Sequence, residues 1–265
     1  MSFGLVNIPV KLYPAIVDKG VHFHQLHGRD GARIEQRRVC PLDGEEVPYD
    51  QIVKGYELRP GRYVVLTQEE LEAAAPRATR AIEIEDFVPL SQIDPIQFDQ
   101  SYYLAPDRGA SKPYALLLAA LRETGRVGVA RLVLRSKQSL AALRPYGTAI
   151  ALSTLHFGDE IARPDRIEAL PDAESKPEAR ELAMALQLVQ TLSGDFVADK
   201  YRDEYRERLL EVIERKSHGE TIHVAPFHAP ARTLDLKAAL EASLARARDR
   251  EKAAPKEHRG NPGVH

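Results

Sequence analysis

The chain contains 265 residues, of which 43% are hydrophobic and 29% charged, and its formal net charge is -2. This length and composition are those of a folded protein of one large domain or two modest ones, and they argue against a largely disordered chain. No apolar run approaches the roughly 20 residues that span a bilayer, so we expect no membrane partner. The single cysteine, Cys40, cannot form an internal disulfide and favours a reducing, cytoplasmic compartment.

Short strand-like runs dominate the chain from residue 3 to about residue 158. Apolar and polar residues alternate with a period of two in several of them, and turn residues bound them. The runs cover residues 3–13, 21–26, 62–66, 81–88, 101–105, 127–134 and 148–155. They predict a barrel or a sandwich, in a mixed α/β protein that is mainly β.

Two helices are predicted between these runs. Thr67 and Glu70 form a capping-box pattern, which predicts a short helix that ends near Ala75, before Pro76. A second helix is predicted over 114–124, where Gly125 ends it.

After about residue 158 the pattern becomes helical. Three prolines between residues 163 and 177 predict a connector. Two apolar stripes at helical spacing follow, Leu182, Leu186 and Val189 and then Tyr201, Tyr205, Leu209, Val212 and Ile213. They predict an arm that packs on the same chain or on a second copy. A further helix is predicted over 233–252, and residues 253–265 are predicted to be disordered.

Positive and negative charges are segregated along the chain although they nearly cancel in total. Residues 112–144 carry seven Lys and Arg residues against the single acid Glu123, whereas residues 41–86 carry five basic residues against eleven acids. Such blocks are compatible with one strongly basic surface, and equally with charges scattered over solvated faces.

Familiar catalytic motifs are absent from the sequence. It contains no phosphate-binding glycine-rich loop, no H-E-x-x-H and no G-x-S-x-G, which disfavours the common nucleotide enzymes and hydrolases. The alternative is a metal-dependent hydrolase in which His22 and His24, on one face of a strand, join Cys40 at a zinc ion. Asp43 stands where a second cysteine would complete such a site, and it is a weak ligand beside a thiolate. A scaffold that binds only protein is a third reading.

Basic side chains between residues 29 and 62 favour nucleic acid over metal. If this segment is one long β-excursion, its arginines and lysines lie along a ribbon, which suits a phosphate backbone better than bases. No stacking aromatics interleave with them, which argues against single-strand recognition. The sequence therefore predicts duplex binding without sequence readout.

Several uncommon motifs occur in a fixed order over about residues 2–220. They are SFGLVNIPVKLY at 2–13, GYE at 55–57, GRYVVLT at 61–67, IDPI at 93–96, SYYL at 101–104, KPY at 112–114, ETGR at 123–126 and YRDEY at 201–205. In these motifs the chain resembles bacterial Ku, the DNA-end-binding protein of non-homologous end joining.

The resemblance implies a Ku-type β-barrel core and a helical C-terminal arm. The expected divisions are a core over 1–162 with a projecting bridge over about 28–62, a connector over 163–177, the arm over 178–220, and a basic, partly disordered extension over 221–265. A homodimeric ring would encircle ends of double-stranded DNA, protect them and recruit the multidomain end-joining ligase. Neither enzymatic activity nor a cofactor is implied, and the expected location is the cytoplasm, at the nucleoid.

The resemblance also implies which side chains make these contacts. The DNA-binding residues would be Arg29, Arg33, Arg37, Arg38, Lys54, Arg62, Arg131, Arg135 and Lys137. The residues of the arm that bind the ligase would be Tyr201, Tyr205, Leu209 and Ile213.

Overall fold

A computed structural model describes residues 1–75, 81–134, 137–171 and 177–220, with isolated positions at 240, 242, 243 and 245. The chain divides into two compact units, Met1–Arg166 and Ile167–His265. Among the described residues, no helix has the length and apolar character needed to cross a membrane. The helix predicted over 233–252 and the tail over 253–265 lie outside the described residues, apart from the isolated positions.

The first unit is built on an eight-stranded sheet. Its strands are β1 (Ser2–Phe3), β2 (Val6–Asn7), β3 (Val10–Pro14), β6 (Ile82–Pro89), β7 (Phe98–Pro106), β8 (Arg126–Leu134), β9 (Lys137–Tyr146) and β10 (Ala149–Leu155). They follow one another in space as β2-β1-β6-β8-β9-β10-β7-β3, and every neighbouring pair is antiparallel except β1 and β6. The prediction of a mainly β protein of mixed class is confirmed.

This sheet is rolled so that its two edges adjoin. The edge strands are β2 and β3, and only Ile8 and Pro9 separate them in the chain. Because consecutive Cα atoms are about 3.8 Å apart, Asn7 and Val10 lie within about 11 Å of each other. Ile8 is fully buried where the edges meet, and its N–H donates to the Met1 carbonyl over 2.7 Å. The sheet thus encloses an interior that side chains fill.

Alternation along the strands separates the interior from an outer apolar cluster. In β9, Ala141 and Leu143 belong to the interior core, whereas Leu140 and Ala142 belong to the outer cluster with Ile93. A strand that is buried on both faces lacks the polar alternation of a half-exposed strand. For this reason the alternation of apolar and polar residues does not predict β9.

Helix α2 (Ser111–Thr124) packs against the interior core through Tyr114, Leu117, Leu118 and Leu121. Gly125 ends the helix with a φ of 62°, a left-handed conformation that suits a residue without a Cβ. The Tyr114 hydroxyl donates to the Leu104 carbonyl over 2.7 Å and accepts from the Ile150 N–H over 2.8 Å. This side chain therefore ties α2 to β7 and β10.

A long excursion, residues 16–66, leaves the sheet after β3, and none of its residues is buried. It ends in a hairpin of β4 (Lys54–Arg59) and β5 (Arg62–Leu66), which forms a separate two-stranded sheet. Helix α1 (Gln68–Ala74) follows, and Thr67 and Glu70 form the predicted capping box at its start.

Two details of the excursion differ from the prediction. The run 21–26 is not a strand, because only Leu26 makes a β-bridge, to Arg33. Lys54–Arg59 is a strand that the prediction missed, since glycine and charged residues occupy much of it.

The second unit contains α3 (Ala179–Leu192) and α4 (Glu204–Ser217). None of its described residues is buried, so the apolar stripes of both helices are at least partly exposed to solvent. Asp203 caps α4 by accepting from the Arg206 N–H over 2.9 Å. The prediction that Tyr201 belongs to the α4 stripe is wrong, because Tyr201 precedes this cap and its ring stacks on Phe196 at 5.8 Å.

Candidate nucleic-acid interface

Two tight turns shape the first half of the excursion. In the first, β-bridged residues Leu26 and Arg33 flank a turn in which His27 contacts Asp30 over 2.9 Å. The pKa of Asp30 is lowered, first because its carboxylate accepts from the Ala32 N–H and then because of His27. In the second, Val39 and Glu46 flank a turn closed by the Cys40 N–H, which donates to the Glu45 carbonyl over 2.9 Å.

The four predicted arginines of these turns are all exposed, but three already have contacts. Arg29 lies at the first turn and has no ion-pair partner among the described residues, and the Arg33 guanidinium lies 2.7 Å from His24 Nδ1. Arg37 donates to Glu46 over 3.1 Å. Arg38 lies over the Tyr49 ring, 5.5 Å from its centroid. The structure thus gathers these cations along one exposed stretch of chain.

Charge is divided within the excursion. Residues 29–38 carry four arginines against the two acids Asp30 and Glu35, whereas residues 41–50 carry four acids and no basic residue. An anionic polymer is therefore attracted to the first segment and repelled by the second.

The β4–β5 hairpin places its two predicted cations at opposite ends. Lys54 pairs with Leu66 at one end, and Arg62 pairs with Arg59 beside the turn. A six-residue strand is about 20 Å long, so these cations are not neighbours. Arg59 and Arg62 instead form a pair of cations at the hairpin tip.

The predicted cations of the barrel are neutralised where the structure describes them. Arg131 Nε lies 3.1 Å from Glu85, and Lys137 Nζ lies 3.4 Å from Glu160. The pKa of Glu160 is lowered chiefly by the Phe157 N–H, with a further contribution from Lys137. Arg135 lies outside the described residues.

The predicted metal ligands are not brought together. His22 contacts Asp18 over 3.4 Å and His24 contacts Arg33. The pKa of Asp43 is lowered, first by the Glu45 N–H and then by the Cys40 side chain. Within the described ranges, no group of three or more His, Cys, Asp or Glu side chains is placed to hold a metal ion. The prediction that His22 and His24 share the face of a strand is wrong, because no strand forms there.

Sequence reasoning missed a group of aromatic and basic residues on the outer face of the barrel. The rings of Tyr103 and Tyr146 stack at 5.8 Å with an interplanar angle of 28°, and Arg144 lies 5.3 Å from the Tyr146 centroid. Tyr103 also pairs with Tyr13 across β7 and β3. In the sequence, the alternation of Arg144 and Tyr146 indicates that these two side chains share one face of a strand. It does not show that Tyr103 and Tyr13 lie beside them, because those residues come from distant parts of the sequence.

The predicted ligase-binding side chains of the arm are accessible to different degrees. Tyr201 and Tyr205 are 73% and 67% exposed, Ile213 is 40% exposed, and Leu209 is half-buried. Tyr205 and Leu209 lie one helical turn apart on α4, so they can bind one partner together.

Comparisons with known proteins agree with this architecture. The model of the Ku70/Ku80 beta-barrel domain matches residues 2–184. Proteins named non-homologous end joining protein Ku are similar over most of the chain. The one from Anaeromyxobacter sp. (strain K) is 55% identical over 94% of this chain and 84% of its own length. The one from Heliobacterium modesticaldum is 44% identical over 98% of this chain and 95% of its own length. The one from Bacillus subtilis is 41% identical over 96% of this chain and 83% of its own length.

These matches confirm the resemblance, the Ku-type barrel and the expectation of a protein that is not an enzyme. They also overturn the metal-dependent hydrolase as a reading of the sequence. The family match extends through the whole barrel and the excursion into α3. The chain belongs to the Ku family and is a bacterial Ku of non-homologous end joining.

Proposed function

We propose that the chain binds ends of double-stranded DNA as a ring-shaped homodimer, without reading base sequence. In this role it protects the ends and recruits the multidomain end-joining ligase through its C-terminal arm. The site of action would be the cytoplasm, at the nucleoid. The printed names of the relatives support the end-joining role.

The observation that carries the proposal is the exposure of the excursion. Tyr56 and Tyr63 of the β4–β5 hairpin are 66% and 59% exposed, and Leu58 is 56% exposed. An isolated two-stranded hairpin is at best marginally stable in water, so a surface must cover it. A second copy supplies this surface and turns two projecting excursions into a closed ring.

The charge of the excursion suits a duplex backbone. Phosphate contacts fix a protein on DNA without carrying sequence information, as a protein that accepts any broken end requires. The arginines of residues 29–38 and the pair at the hairpin tip supply these contacts. If on the order of six to ten phosphates are neutralised, affinity falls by roughly 10³ to 10⁵ between 50 and 200 mM salt.

The experiment that tests ring formation compares linear duplex with covalently closed circles of the same sequence. Mass in solution is measured by light scattering, and DNA retention by gel shift at low salt. We expect a dimer that retains linear duplex and not circles. Equal retention of both forms would overturn threading, a monomer at working concentration would overturn the ring, and no retention of either form would favour the protein-only scaffold.

Recruitment of the ligase is tested separately on the arm. Tyr205→Ala with Leu209→Ala is expected to abolish co-purification of the end-joining ligase while DNA-end binding stays intact. Glu211→Ala, at an exposed position of the same helix, is the control. Undiminished co-purification of the double variant would remove this face of α4 from the partner site.

A further inference from the structure

One end of the barrel carries a recess of about 490 Å³ that is lined from several strands. Strands β3, β8 and β10 end at this recess, and β7 and β9 begin there, because these neighbouring strands are antiparallel. We call it the mouth recess. Its lining includes Leu12, Asp99, Leu134, Lys137, Leu155 and Glu160. The mouth of a β-barrel is a common position for a ligand site, and a volume of a few hundred Å³ is usual there.

Part of the mouth recess is apolar. Leu12 and Leu134 are half-buried and pack against the interior core, and Leu155 is buried in the outer cluster. All three also line the recess, so they offer hydrocarbon surface to a ligand. An aliphatic chain that covers this surface is removed from water, which favours binding in proportion to the area covered.

Asp99 supplies a carboxylate to the same recess. Its Oδ2 lies 3.2 Å from the hydroxyl of Thr154, a residue that is 6% exposed. This hydroxyl also accepts from the Gln100 N–H over 3.0 Å and lies 3.3 Å from the Gln100 carbonyl. Among the described residues, Asp99 Oδ1 has no hydrogen bond and the carboxylate has no ion pair. One oxygen is therefore supported by the protein, and the other is available to a ligand.

The second carboxylate of the recess already has its partners. Glu160 lies 3.4 Å from Lys137 Nζ and 3.6 Å from His156 Nδ1, and it accepts from the Phe157 N–H over 2.8 Å. With His156 neutral, the lining carries two carboxylates and one ammonium, so its net charge is -1. A single ligand cation beside Asp99 balances this charge.

We propose that the mouth recess binds a primary alkylammonium group, carried by a lysine of a peptide or by a free aliphatic amine. Such a group joins an aliphatic chain to a compact cation, as the lysine side chain does. The chain covers the three leucines, and the ammonium donates to Asp99. Ser139 and Gln138 also line the recess and offer oxygen acceptors for the remaining N–H groups. This inference goes beyond DNA-end binding and does not depend on it.

Two other classes of ligand fit the recess less well. A calcium or magnesium ion takes several oxygen ligands, and the described residues contain no group of three or more His, Cys, Asp or Glu side chains that could hold a metal ion. A phosphate is repelled by the unpaired Asp99 carboxylate. A primary ammonium is satisfied by one carboxylate and a few acceptors, which the lining provides.

The test is an NMR titration of the full-length protein, with carbon-13 in the leucine methyl groups and without DNA. The ligands are n-butylammonium, methylammonium and the uncharged n-butanol. We expect n-butylammonium to give saturable shifts of the Leu12, Leu134 and Leu155 methyl resonances. Each buried CH₂ group strengthens binding by about fourfold, so methylammonium, which is three carbon atoms shorter, should bind at least about tenfold more weakly. The alcohol should also bind more weakly than n-butylammonium, since it lacks the charge.

Variants locate the site. Asp99→Asn keeps the size of the side chain and removes its charge, and we expect it to weaken n-butylammonium binding by about threefold or more. Asp159→Asn is the matched control, because Asp159 is exposed, lies outside the lining of the recess and gives the same change in net charge. Thermal unfolding verifies that both variants are folded. Equal losses in the two variants would indicate general charge attraction and would overturn the site.

Two peptides identify the carrier of the ammonium, acetyl-Gly-Lys-Gly-amide and its analogue with norleucine in place of lysine. Saturation by the lysine peptide alone assigns the recess to a peptide lysine, whereas saturation by n-butylammonium and by neither peptide assigns it to a free amine. If n-butylammonium gives no saturable shifts, or binds no more tightly than n-butanol, the proposal is overturned. DNA is absent throughout, so such a failure leaves the proposed DNA-end binding standing.

Discussion

Arg37 donates a hydrogen bond to the Glu46 carboxylate over 3.1 Å, across the base of the turn that contains Cys40. The side chains of both residues are more than half exposed. The contact therefore neutralises an arginine in the candidate DNA-binding segment without holding it firmly, because exposed ion pairs are weak. Glu46 therefore competes with a phosphate for the Arg37 guanidinium.

Removal of this competing carboxylate should strengthen DNA binding. Glu46→Gln is expected to tighten the affinity for linear duplex a few-fold at low salt, because the Arg37 guanidinium is then free for a phosphate. If one additional phosphate is neutralised, the plot of log affinity against log salt steepens by about 0.9. A salt titration by fluorescence anisotropy measures both quantities.

Glu45→Gln is the matched control for this variant. It makes the same change in net charge at the residue that precedes Glu46, and the Glu45 carboxylate has no ion-pair partner among the described residues. Equal effects of the two variants would mean that general charge, and not the release of Arg37, sets the affinity.

Charge reversal in the same segment should have the opposite effect. Arg37→Glu with Arg38→Glu is expected to weaken duplex binding by at least tenfold at low salt, because two phosphate contacts become repulsive. The barrel should remain folded, since both side chains are exposed and lie in the excursion. Arg163→Glu with Arg166→Glu changes the net charge equally at exposed positions after β10. Unchanged affinity of the first variant would exclude Arg37 and Arg38 from the site.

The buried Tyr114 hydroxyl should contribute to the stability of the barrel. Tyr114→Phe removes the hydroxyl that bonds to the Leu104 carbonyl and the Ile150 N–H. We expect the free energy of unfolding to fall by about 1–3 kcal/mol, the usual cost of unsatisfied buried polar groups. Urea denaturation measures this loss, and Tyr205→Phe, on an exposed position of α4 outside the barrel, should be neutral. A loss no larger than that of the control would contradict the assigned role.

Glu160 should make the free energy of unfolding of the barrel fall at acidic pH. Its carboxylate accepts from the Phe157 N–H over 2.8 Å and contacts Lys137, and these contacts lower its pKa in the folded state. Between the folded pKa of Glu160 and its unfolded pKa of about 4.3, the unfolded chain binds more protons than the folded chain. The stabilisation is therefore complete above that pH and is lost as pH falls through the folded pKa.

Glu160→Gln should remove this part of the pH dependence. We expect its urea midpoint to vary less than that of the wild-type protein between about pH 5 and pH 3. Glu123→Gln, on α2, removes a carboxylate without an ion-pair partner among the described residues and should keep the wild-type slope. Parallel curves for wild type and Glu160→Gln would show that the Glu160 contacts do not persist in solution.

Local patterns in the sequence were sufficient for elements that depend on neighbours in the chain. The capping box of Thr67 and Glu70 and the stop at Gly125 were predicted because a few adjacent residues satisfy the backbone groups there. Alternation likewise predicted β8, where Val127 and Val129 share the outer face. The prediction of a strand over 21–26 is wrong because no neighbouring strand pairs with this segment, although its composition suits a strand.

The chain's own sequence determined the family, the mainly β class and the accumulation of arginines in the excursion. The tertiary structure decided that the edges meet at Ile8, that β9 is buried on both faces, and that Glu46 neutralises Arg37. Only folding brought Tyr13, Tyr103 and Tyr146 together, because three strands far apart in sequence supply them. A periodic pattern describes one strand at a time, whereas a binding surface depends on which strands become neighbours and in which register.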